Sequence, residues 1–218
     1  EAILELCNRL RDNKDYSNIE NLWIKKSGKI IKNPIGKAFD VDKVSLPDFS
    51  LFEEARLYRP MAGKTYRMLP VETHRGCPYS CSYCNSPAQR VLYDGGNAGN
   101  HFRKKSIDMV RREIEYYRND CDAEYFYFWA DTFFAYTDKE FDEFVEMYND
   151  IKIPFFCQAR PEQIAENRIR QLRDVGLHRM ALGIEHGNEE FRRSIINRKV
   201  SNEVIIKAFD IISDYALP

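Results

Sequence analysis

The sequence predicts an α/β protein built on a parallel β-sheet. Between about residue 67 and the end of the 218-residue chain, strand-like and helix-like segments alternate four times. The segment EYFYFWA at 124–130 is almost wholly aromatic, which is typical of a strand that is covered on both faces. Repeated alternation of this kind requires parallel strands joined by right-handed crossovers. Such a sheet either closes into a barrel or stays open, and the spacing of the segments does not decide between the two.

The expected strands cover residues 67–73, 124–130, 153–159 and 180–184. The first of them is imperfect because it contains Pro70, which lacks a backbone N–H. A helix is expected after Ser106, since the apolar residues that follow recur at helical spacing. The apolar face of this helix is expected to comprise Ile107, Val110, Ile114 and Tyr117.

The remaining helices are predicted from their ends. The run TDKE at 137–140 is a capping box, and Pro161 suits the first turn of a third helix that Gly176 would close. Ser201 is expected to cap the last helix. The inward face of that helix is expected to comprise Val204, Ile205, Ala208, Phe209 and Ile212.

The first 66 residues differ in character from the rest. A helix is expected over about residues 1–14, and a β-hairpin that turns at Ser27-Gly28 is expected between NLWIK and IIK. Residues 33–60 contain prolines and little periodicity, which favours a linker with short turns. We therefore expect residues 1–66 to form a connector and residues 67–218 to form the core domain. The chain starts within a helical pattern and stops directly after one, so we expect it to be the middle of a longer protein.

The bulk composition is that of a soluble globular protein. The chain is 44% hydrophobic and 31% charged with a net charge of −1, which argues against a general nucleic-acid binder. No stretch approaches the roughly 18 apolar residues of a membrane span, and no signal peptide is visible. Six cysteines, three of them clustered, do not form the pattern of a secreted disulfide framework. The expected location is the cytoplasm.

The most informative segment is CPYSCSYC at 77–84, in which three cysteines have the spacing C-x3-C-x2-C. Thiolates this close together can hold three corners of an iron–sulfur cube, whereas a structural zinc site requires four ligands. No fourth cysteine or suitably placed histidine follows nearby. Ordinary buried thiols are the simplest interpretation of Cys7, Cys121 and Cys157. The proline, glycine and serine residues around the trio indicate a loop instead.

Polar side chains follow each expected strand, where the carboxyl ends of strands form one rim. The cysteine loop follows the first strand, Asp131 the second, Gln158 and Arg160 the third, and Glu185 with His186 the fourth. An acidic residue at such a position is often only a helix cap or a solvated loop residue. The glycine-rich segment 94–100 lacks the Lys-Ser/Thr ending of a phosphate-binding loop, and we expect it to be a flexible loop over the site.

The string THRGCPYSCSYC at 73–84 and the segment LGIEHGNE at 182–189 resemble two motifs of the radical S-adenosylmethionine (SAM) superfamily. The resemblance implies a partial (β/α)6 barrel, of which about four βα units are present here. It also implies a [4Fe-4S] cluster on Cys77, Cys81 and Cys84, with one iron open to SAM. Reductive cleavage of SAM would then give methionine and a 5′-deoxyadenosyl radical.

The same resemblance implies the residues that contact SAM. Tyr83 would lie beside adenine, Asp131 would hold the methionyl amine, and Glu185 would contact the amine or the ribose. Arg160 is a candidate partner for the SAM carboxylate. His186 stands where serine is usual in the superfamily, so a hydroxyl contact to SAM is in doubt at this position.

The first 70 residues resemble the connector that follows the cobalamin-binding domain of B12-dependent radical SAM proteins. This resemblance implies cobalamin as a further cofactor and methyl transfer as the reaction. The expected partners are a small-molecule or peptide substrate and a reductant such as flavodoxin or ferredoxin. An alternative is a non-catalytic module, either an iron–sulfur electron-transfer protein or a structural metal-binding domain.

Overall fold

The structure is a computed structural model that describes residues 2–96 and 98–215. It divides into two compact units, one made of residues 1–39 and 88–101 and the other of residues 40–87 and 102–218. The expectations that concern Glu1, Asn97 and residues 216–218 lie outside the described residues. The division of the chain at residue 66 stays a prediction.

The first unit contains the predicted helix and hairpin. Helix α1 covers Ala2–Arg11, and strands β1 (Trp23–Lys26) and β2 (Lys29–Lys32) pair antiparallel. Ser27 and Gly28 connect them with φ angles of 50° and 77°, as expected of a two-residue turn with left-handed central residues. Helix α2 (Ser86–Gly95), of which residues 88–95 belong to this unit, was not predicted, and it includes the first two residues of the expected glycine-rich loop.

The second unit holds the remaining strands and helices. Its strands are β3 (Tyr58–Met61), β4 (Lys64–Val71), β5 (His74–Arg75), β6 (Arg103–Lys104), β7 (Tyr125–Phe128), β8 (Phe155–Ala159) and β9 (Leu177–Leu182). Its helices are α3 (Ile107–Asp120), α4 (Asp138–Asn149), α5 (Glu166–Val175), α6 (Glu189–Ser194) and α7 (Asn202–Asp214). None of the helices in the described parts of the chain is long and apolar enough to cross a membrane.

The central sheet has the strand order β3-β4-β7-β8-β9 and curls into a half-barrel. Strands β4, β7, β8 and β9 are parallel, which confirms the four predicted βα units, while β3 pairs antiparallel with β4. The linker prediction was wrong where β3 lies. A strand that contains Pro60 is tolerated at a sheet edge, because the missing N–H removes no bond within the sheet. The turn into β4 uses Ala62 and Gly63, both with positive φ.

The main core lies between the sheet and the helices that follow its strands. Phe126 and Phe128 of β7 and Phe155 of β8 are completely buried there, and the ring of Phe128 packs at 5.1 Å from that of Phe155. Burying one large apolar side chain stabilises a fold by about 1.5–3 kcal/mol. The opposite face of the sheet carries Tyr127 and Phe156, whose rings stack at 4.9 Å. Strand β7 is therefore covered on both faces as predicted, but it ends before Trp129, which is 60% exposed.

The predicted helix caps agree with the structure at most positions. Ser106 accepts from the N–H of Met109, and the capping box of Thr137 and Glu140 is formed. The prediction that a helix begins at Pro161 was wrong, since Pro161 opens a separate 3-10 turn and α5 begins at Glu166. Residues 161–166 show no apolar periodicity, so the sequence does not distinguish the 3-10 turn from the start of α5.

The last helix is capped by Ser201, whose side chain accepts from the N–H of Val204. Its buried residues are Ile205, Ala208 and Ile212. Val204 and Phe209 are 39% and 45% exposed, so the prediction that they point inward was wrong for the described structure. The apolar face of α7 is therefore wider than the part of it that packs against the described residues.

Candidate cofactor-binding site

The three clustered cysteines lie in the loop between β5 and α2. Cys81 is buried, Cys77 is half-buried and Cys84 is exposed, and none of them forms a disulfide. The N–H of Cys84 donates to the carbonyl of Cys81 at 3.2 Å, and the N–H of Ser86, the first residue of α2, donates to Sγ of Cys84 at 3.4 Å. Burial raises the pKa of the Cys77 thiol above its usual range.

A second segment of the chain holds the cysteine loop in place. The N–H of Ser82 donates to the carbonyl of Ile196 at 3.0 Å, and Nδ2 of Asn197 donates to the carbonyl of Ser80 at 2.7 Å. These contacts join the loop to the residues between α6 and α7. The next residue along that segment, Arg198, reaches the same site.

All three cysteines line one cavity of about 360 Å³. The cavity is also lined by Tyr83, Asp131, Arg160 and Glu185, the four residues predicted to contact SAM, and by Gln158. Asp131 follows β7, Arg160 follows β8 and Glu185 follows β9. These three side chains converge because the carboxyl ends of parallel strands meet at one rim. The structure thus brings together all seven predicted site residues.

Arg160 connects the rim to the cysteine loop. Its Nη1 donates to Sγ of Cys81 at 3.2 Å, and its guanidinium lies 3.7 Å from the centre of the Tyr79 ring. Its Nε donates to Oε1 of Glu162 at 2.7 Å.

Glu185 has a left-handed backbone with a φ of 70°, a conformation that is uncommon for a residue with a long side chain. Such strain concentrates at functional sites. The Oε1 atom of Glu185 accepts from Nη1 of Arg198 at 2.9 Å. Arg198 was not predicted, because a single arginine between two helices gives no periodic or strand-end signal.

The side chain of Arg198 is only 2% exposed. Its Nη2 is 3.6 Å from Oε2 of Glu162, beyond hydrogen-bond distance, and neither Nη2 nor Nε has a hydrogen-bond partner among the described residues. A buried guanidinium with unsatisfied donors favours a bound acceptor such as a carboxylate.

Tyr83 is 57% exposed, yet burial of its hydroxyl and the neighbouring Glu185 carboxylate raise the pKa of Tyr83 to about 12. The phenol therefore stays neutral at any physiological pH. His186 is not among the residues that line the cavity. Its Nδ1 accepts from the N–H of Asn188 at 3.0 Å and its ring lies 4.4 Å from that of Phe191, so it shapes the turn into α6.

A half-barrel with a three-cysteine loop at its carboxyl rim defines a class of protein. The family model of the radical SAM superfamily matches residues 71–218, and the chain belongs to this superfamily of enzymes. Members of this superfamily use a [4Fe-4S] cluster and SAM.

Two curated relatives carry methyltransferase names. The chain is 24% identical over 186 residues to an uncharacterized methyltransferase of Pyrococcus horikoshii, a match that covers 83% of this chain and 37% of the relative. It is 22% identical over 202 residues to bacteriochlorophyllide d C-12(1)-methyltransferase of Chlorobaculum tepidum, which covers 88% of this chain and 42% of the relative. The chain therefore spans about two fifths of the length of these relatives.

A solved structure has the same fold. TsrM from Kitasatospora setae, a radical S-adenosylmethionine methyltransferase with tryptophan substrate and a SAM analogue bound, superposes with a TM-score of 0.66 at 14% sequence identity. The match covers 99% of this chain and 42% of TsrM. A second TsrM structure, with cobalamin and a [4Fe-4S] cluster bound, gives the same TM-score. This likeness shows that the sheet is a partial radical SAM barrel, as the sequence predicts.

The donor chemistry of the cavity fits the cluster that the superfamily uses. Among residues 2–96 and 98–215, no three His, Cys, Asp or Glu side chains form a group that could hold a single metal ion. A cubane accepts thiolates on separate irons, so its ligands surround a volume and need not converge on one point. Three free thiols around one cavity meet this requirement.

Proposed function

We propose that this chain is the catalytic core of a radical SAM methyltransferase that depends on cobalamin. Cys77, Cys81 and Cys84 would hold the [4Fe-4S] cluster, and SAM would occupy the remainder of the same cavity. The observation that carries the proposal is the shared cavity, in which the three thiols meet polar side chains from the ends of three successive parallel strands. When bound, the cluster supplies the electron that cleaves SAM to methionine and a 5′-deoxyadenosyl group.

The charges of the rim support a zwitterionic ligand such as the methionyl part of SAM. Asp131 and Glu185 provide acceptors for an ammonium group, and Arg198 provides buried donors for a carboxylate. Arg160 remains the second candidate cation for the carboxylate, although its Nη1 already donates to Cys81. Tyr83 offers a flat face for adenine.

The residues of the chain would position the ligand and limit the access of water. Cys81 is 7% exposed, so one cluster ligand is already shielded. Shielding matters because cluster potentials depend on solvent exposure and on hydrogen bonds to sulfur. The hydrogen bond from Arg160 to Sγ of Cys81 is one such contact.

Cobalamin dependence is supported by the relatives. TsrM was solved with cobalamin and a [4Fe-4S] cluster, and both curated relatives above are named methyltransferases. When bound, cobalamin supplies a methyl carrier. The corrin would be held by a domain outside this chain, with residues 1–66 as the connector and residues 67–218 as the barrel core.

The partners follow from this chemistry. The enzyme would act on a small-molecule or peptide substrate and would take electrons from a reductant such as flavodoxin or ferredoxin. A cytoplasmic location is consistent with a cluster that oxygen would damage. The rival function, a non-catalytic iron–sulfur module, would need a fourth protein ligand. Cys121 and Cys157 lie in the main core between the sheet and the helices and do not line the cavity, so neither is placed to be that fourth ligand.

The full-length protein tests the proposal. Purified with hydroxocobalamin and reconstituted without oxygen, it should retain about one corrin per chain, and with reductant it should convert SAM to methionine and 5′-deoxyadenosine. Glu185→Ala and Asp131→Ala should each weaken SAM binding about tenfold to a hundredfold in calorimetry, since one charge-assisted hydrogen bond contributes roughly 1.5–3 kcal/mol.

The outcomes separate the parts of the proposal. SAM cleavage without bound corrin would leave a radical SAM enzyme that does not use cobalamin. No cleavage, with a fully loaded cluster, would favour the electron-transfer module. Unchanged SAM affinity in both carboxylate variants would refute the placement of SAM at this rim.

A further inference from the structure

The second unit has another cavity beside the carboxyl half of β4. It has a volume of about 280 Å³ and lies between residues 44–52, one face of α3 and the strand ends at Pro70 and Trp129. Strand β3 pairs only with Lys64–Arg67, so in the described structure the carboxyl half of β4 has a strand neighbour on one side only, which is β7. The cavity occupies that uncovered edge.

The ionisable groups of this cavity pair with one another. Nζ of Lys105 donates to Oε2 of Glu113 at 2.6 Å, and both side chains are buried. Arg75 donates to both carboxylate oxygens of Glu72, at 2.9 and 2.7 Å. The charges of these two cations and two carboxylates sum to zero. A charged ligand would lose its hydration on entering the cavity and would find no side chain of opposite charge that is not already paired within the cavity. The cavity therefore favours an uncharged ligand.

The apolar wall is unusual for its exposed aromatic rings. Trp129 is 60% exposed, although it directly follows a strand in which Tyr125, Phe126 and Phe128 are completely buried. Its N–H donates to the carbonyl of Val71 at 3.0 Å, which fixes its backbone to β4. Phe52 on the other wall is 55% exposed. Exposed rings that line a cavity are typical stacking surfaces for a flat ligand.

The two cavities adjoin on one rim. Trp129 lines this cavity and Asp131 lines the cysteine cavity, and two residues of chain span at most about 7 Å. Arg75 and Cys77 stand in the same relation. A ligand in the second cavity therefore lies next to the site proposed for SAM.

We propose that this second cavity holds an uncharged, aromatic part of the substrate, stacked on Trp129, with the reacting atom directed towards Asp131. The proposal rests on the proposed function, because it takes the cysteine cavity as the site of reaction. The volume of about 280 Å³ is close to the lower end of small-molecule sites, roughly 300 Å³, and suits a moiety of one or two rings.

Binding of indole to the full-length protein tests this assignment. Indole is a flat neutral probe, and its affinity can be measured by equilibrium dialysis without SAM. Trp129→Ala and Phe52→Ser should each weaken indole binding about tenfold. Indole-3-acetate should bind about tenfold more weakly than indole, because its carboxylate finds no unbalanced cation.

Two matched variants control for exposure alone. Trp23 is 64% exposed in the other unit, and Leu51 is 81% exposed beside Phe52 without lining the cavity. Trp23→Ala and Leu51→Ser should leave indole affinity unchanged. The assignment is overturned if the wild type does not bind indole, if neither cavity variant weakens binding, or if the controls weaken it equally. Equal or tighter binding of indole-3-acetate overturns the neutral class.

The two proposals fail separately. Reductive cleavage of SAM is assayed on the wild type without indole, and indole binding is assayed without SAM. Absence of 5′-deoxyadenosine would therefore count against the proposed function alone, and loss of the indole result would count against the second cavity alone.

Discussion

Arg198 donates from Nη1 to Oε1 of Glu185 across 2.9 Å, from a side chain that is 2% exposed. The same guanidinium approaches Glu162 at 3.6 Å, and Glu162 in turn accepts from Arg160, which donates to Sγ of Cys81. A continuous series of charges thus leads from the strained loop after β9 to the cysteine loop. The Glu185 carboxylate is therefore connected to Sγ of Cys81, a proposed cluster ligand, through Arg198, Glu162 and Arg160.

Arg198→Ala should destabilise the protein. Removing the buried guanidinium leaves the Glu185 carboxylate without its cation, and the expected loss in free energy of unfolding is roughly 1–3 kcal/mol. Urea denaturation measures it. The control is Arg193→Ala, which breaks a pair with Glu190 in which both side chains are more than half exposed. Its effect should stay within about 0.5 kcal/mol, and equal losses for the two variants would contradict the buried role of Arg198.

Gly183→Ala should weaken SAM binding with little loss of stability. A Cβ at this position would lie 2.6 Å from Oε1 of Glu185 and 3.3 Å from Nη1 of Arg198, so the carboxylate must move. The affected atom is the end of a flexible side chain, and the fold can adapt. We expect about a tenfold loss of SAM affinity in calorimetry.

The matched control is Gly187→Ala in the same loop. No atom lies within 4 Å of a Cβ at this position, and the variant should bind SAM like the wild type. Wild-type affinity in Gly183→Ala would mean that the Glu185 carboxylate is not a SAM contact in this position.

The buried His74 should make the stability of the cluster-free protein decrease at acidic pH. Burial, with a contribution from Lys104, lowers the pKa of His74 from 6.5 to about 4, and the residue is 2% exposed. The unfolded chain therefore takes up a proton below pH 6.5 that the folded chain resists until about pH 4. Stability contributed by this residue is complete above pH 6.5 and is lost as the pH falls towards 4, by up to roughly 3 kcal/mol.

Denaturation of the cluster-free protein between pH 4 and 7 measures this effect. His74→Gln removes the titrating ring and should flatten that part of the profile. His186→Gln, which changes an exposed histidine, should leave the profile as in the wild type. An unaltered slope in His74→Gln would show that other groups control the acid sensitivity.

The predicted site residues that the structure brings around one cavity are those whose signal is local. The spacing of Cys77, Cys81 and Cys84 is contained in eight residues, and Asp131 and Arg160 are marked by the strands that they follow. Parallel strands then bring these ends together without further information. For that reason the polar residues at the ends of the predicted strands were enough to indicate which side chains surround one cavity.

The features that the sequence does not reveal depend on tertiary contacts. Arg198 is 13 positions from Glu185 in the chain, and its burial depends on how the segment before α7 folds back over the rim. Strand β3 was missed because Pro60 disfavours a strand, although an edge position removes that objection. The second cavity needs Phe52, Pro70 and Trp129 to converge from three separate segments.

The proposed cluster on Cys77, Cys81 and Cys84 is tested most directly by electron paramagnetic resonance of the anaerobically reconstituted and reduced protein, combined with an iron count. The wild type and Cys7→Ala, which changes an exposed cysteine outside the motif, should each hold about four irons per chain and give a signal that changes when SAM is added. The variant Cys77→Ala/Cys81→Ala/Cys84→Ala should hold no cluster and give no signal. Four irons in that triple variant, or a wild-type signal that SAM leaves unchanged, would contradict a cluster with an open iron on these three cysteines.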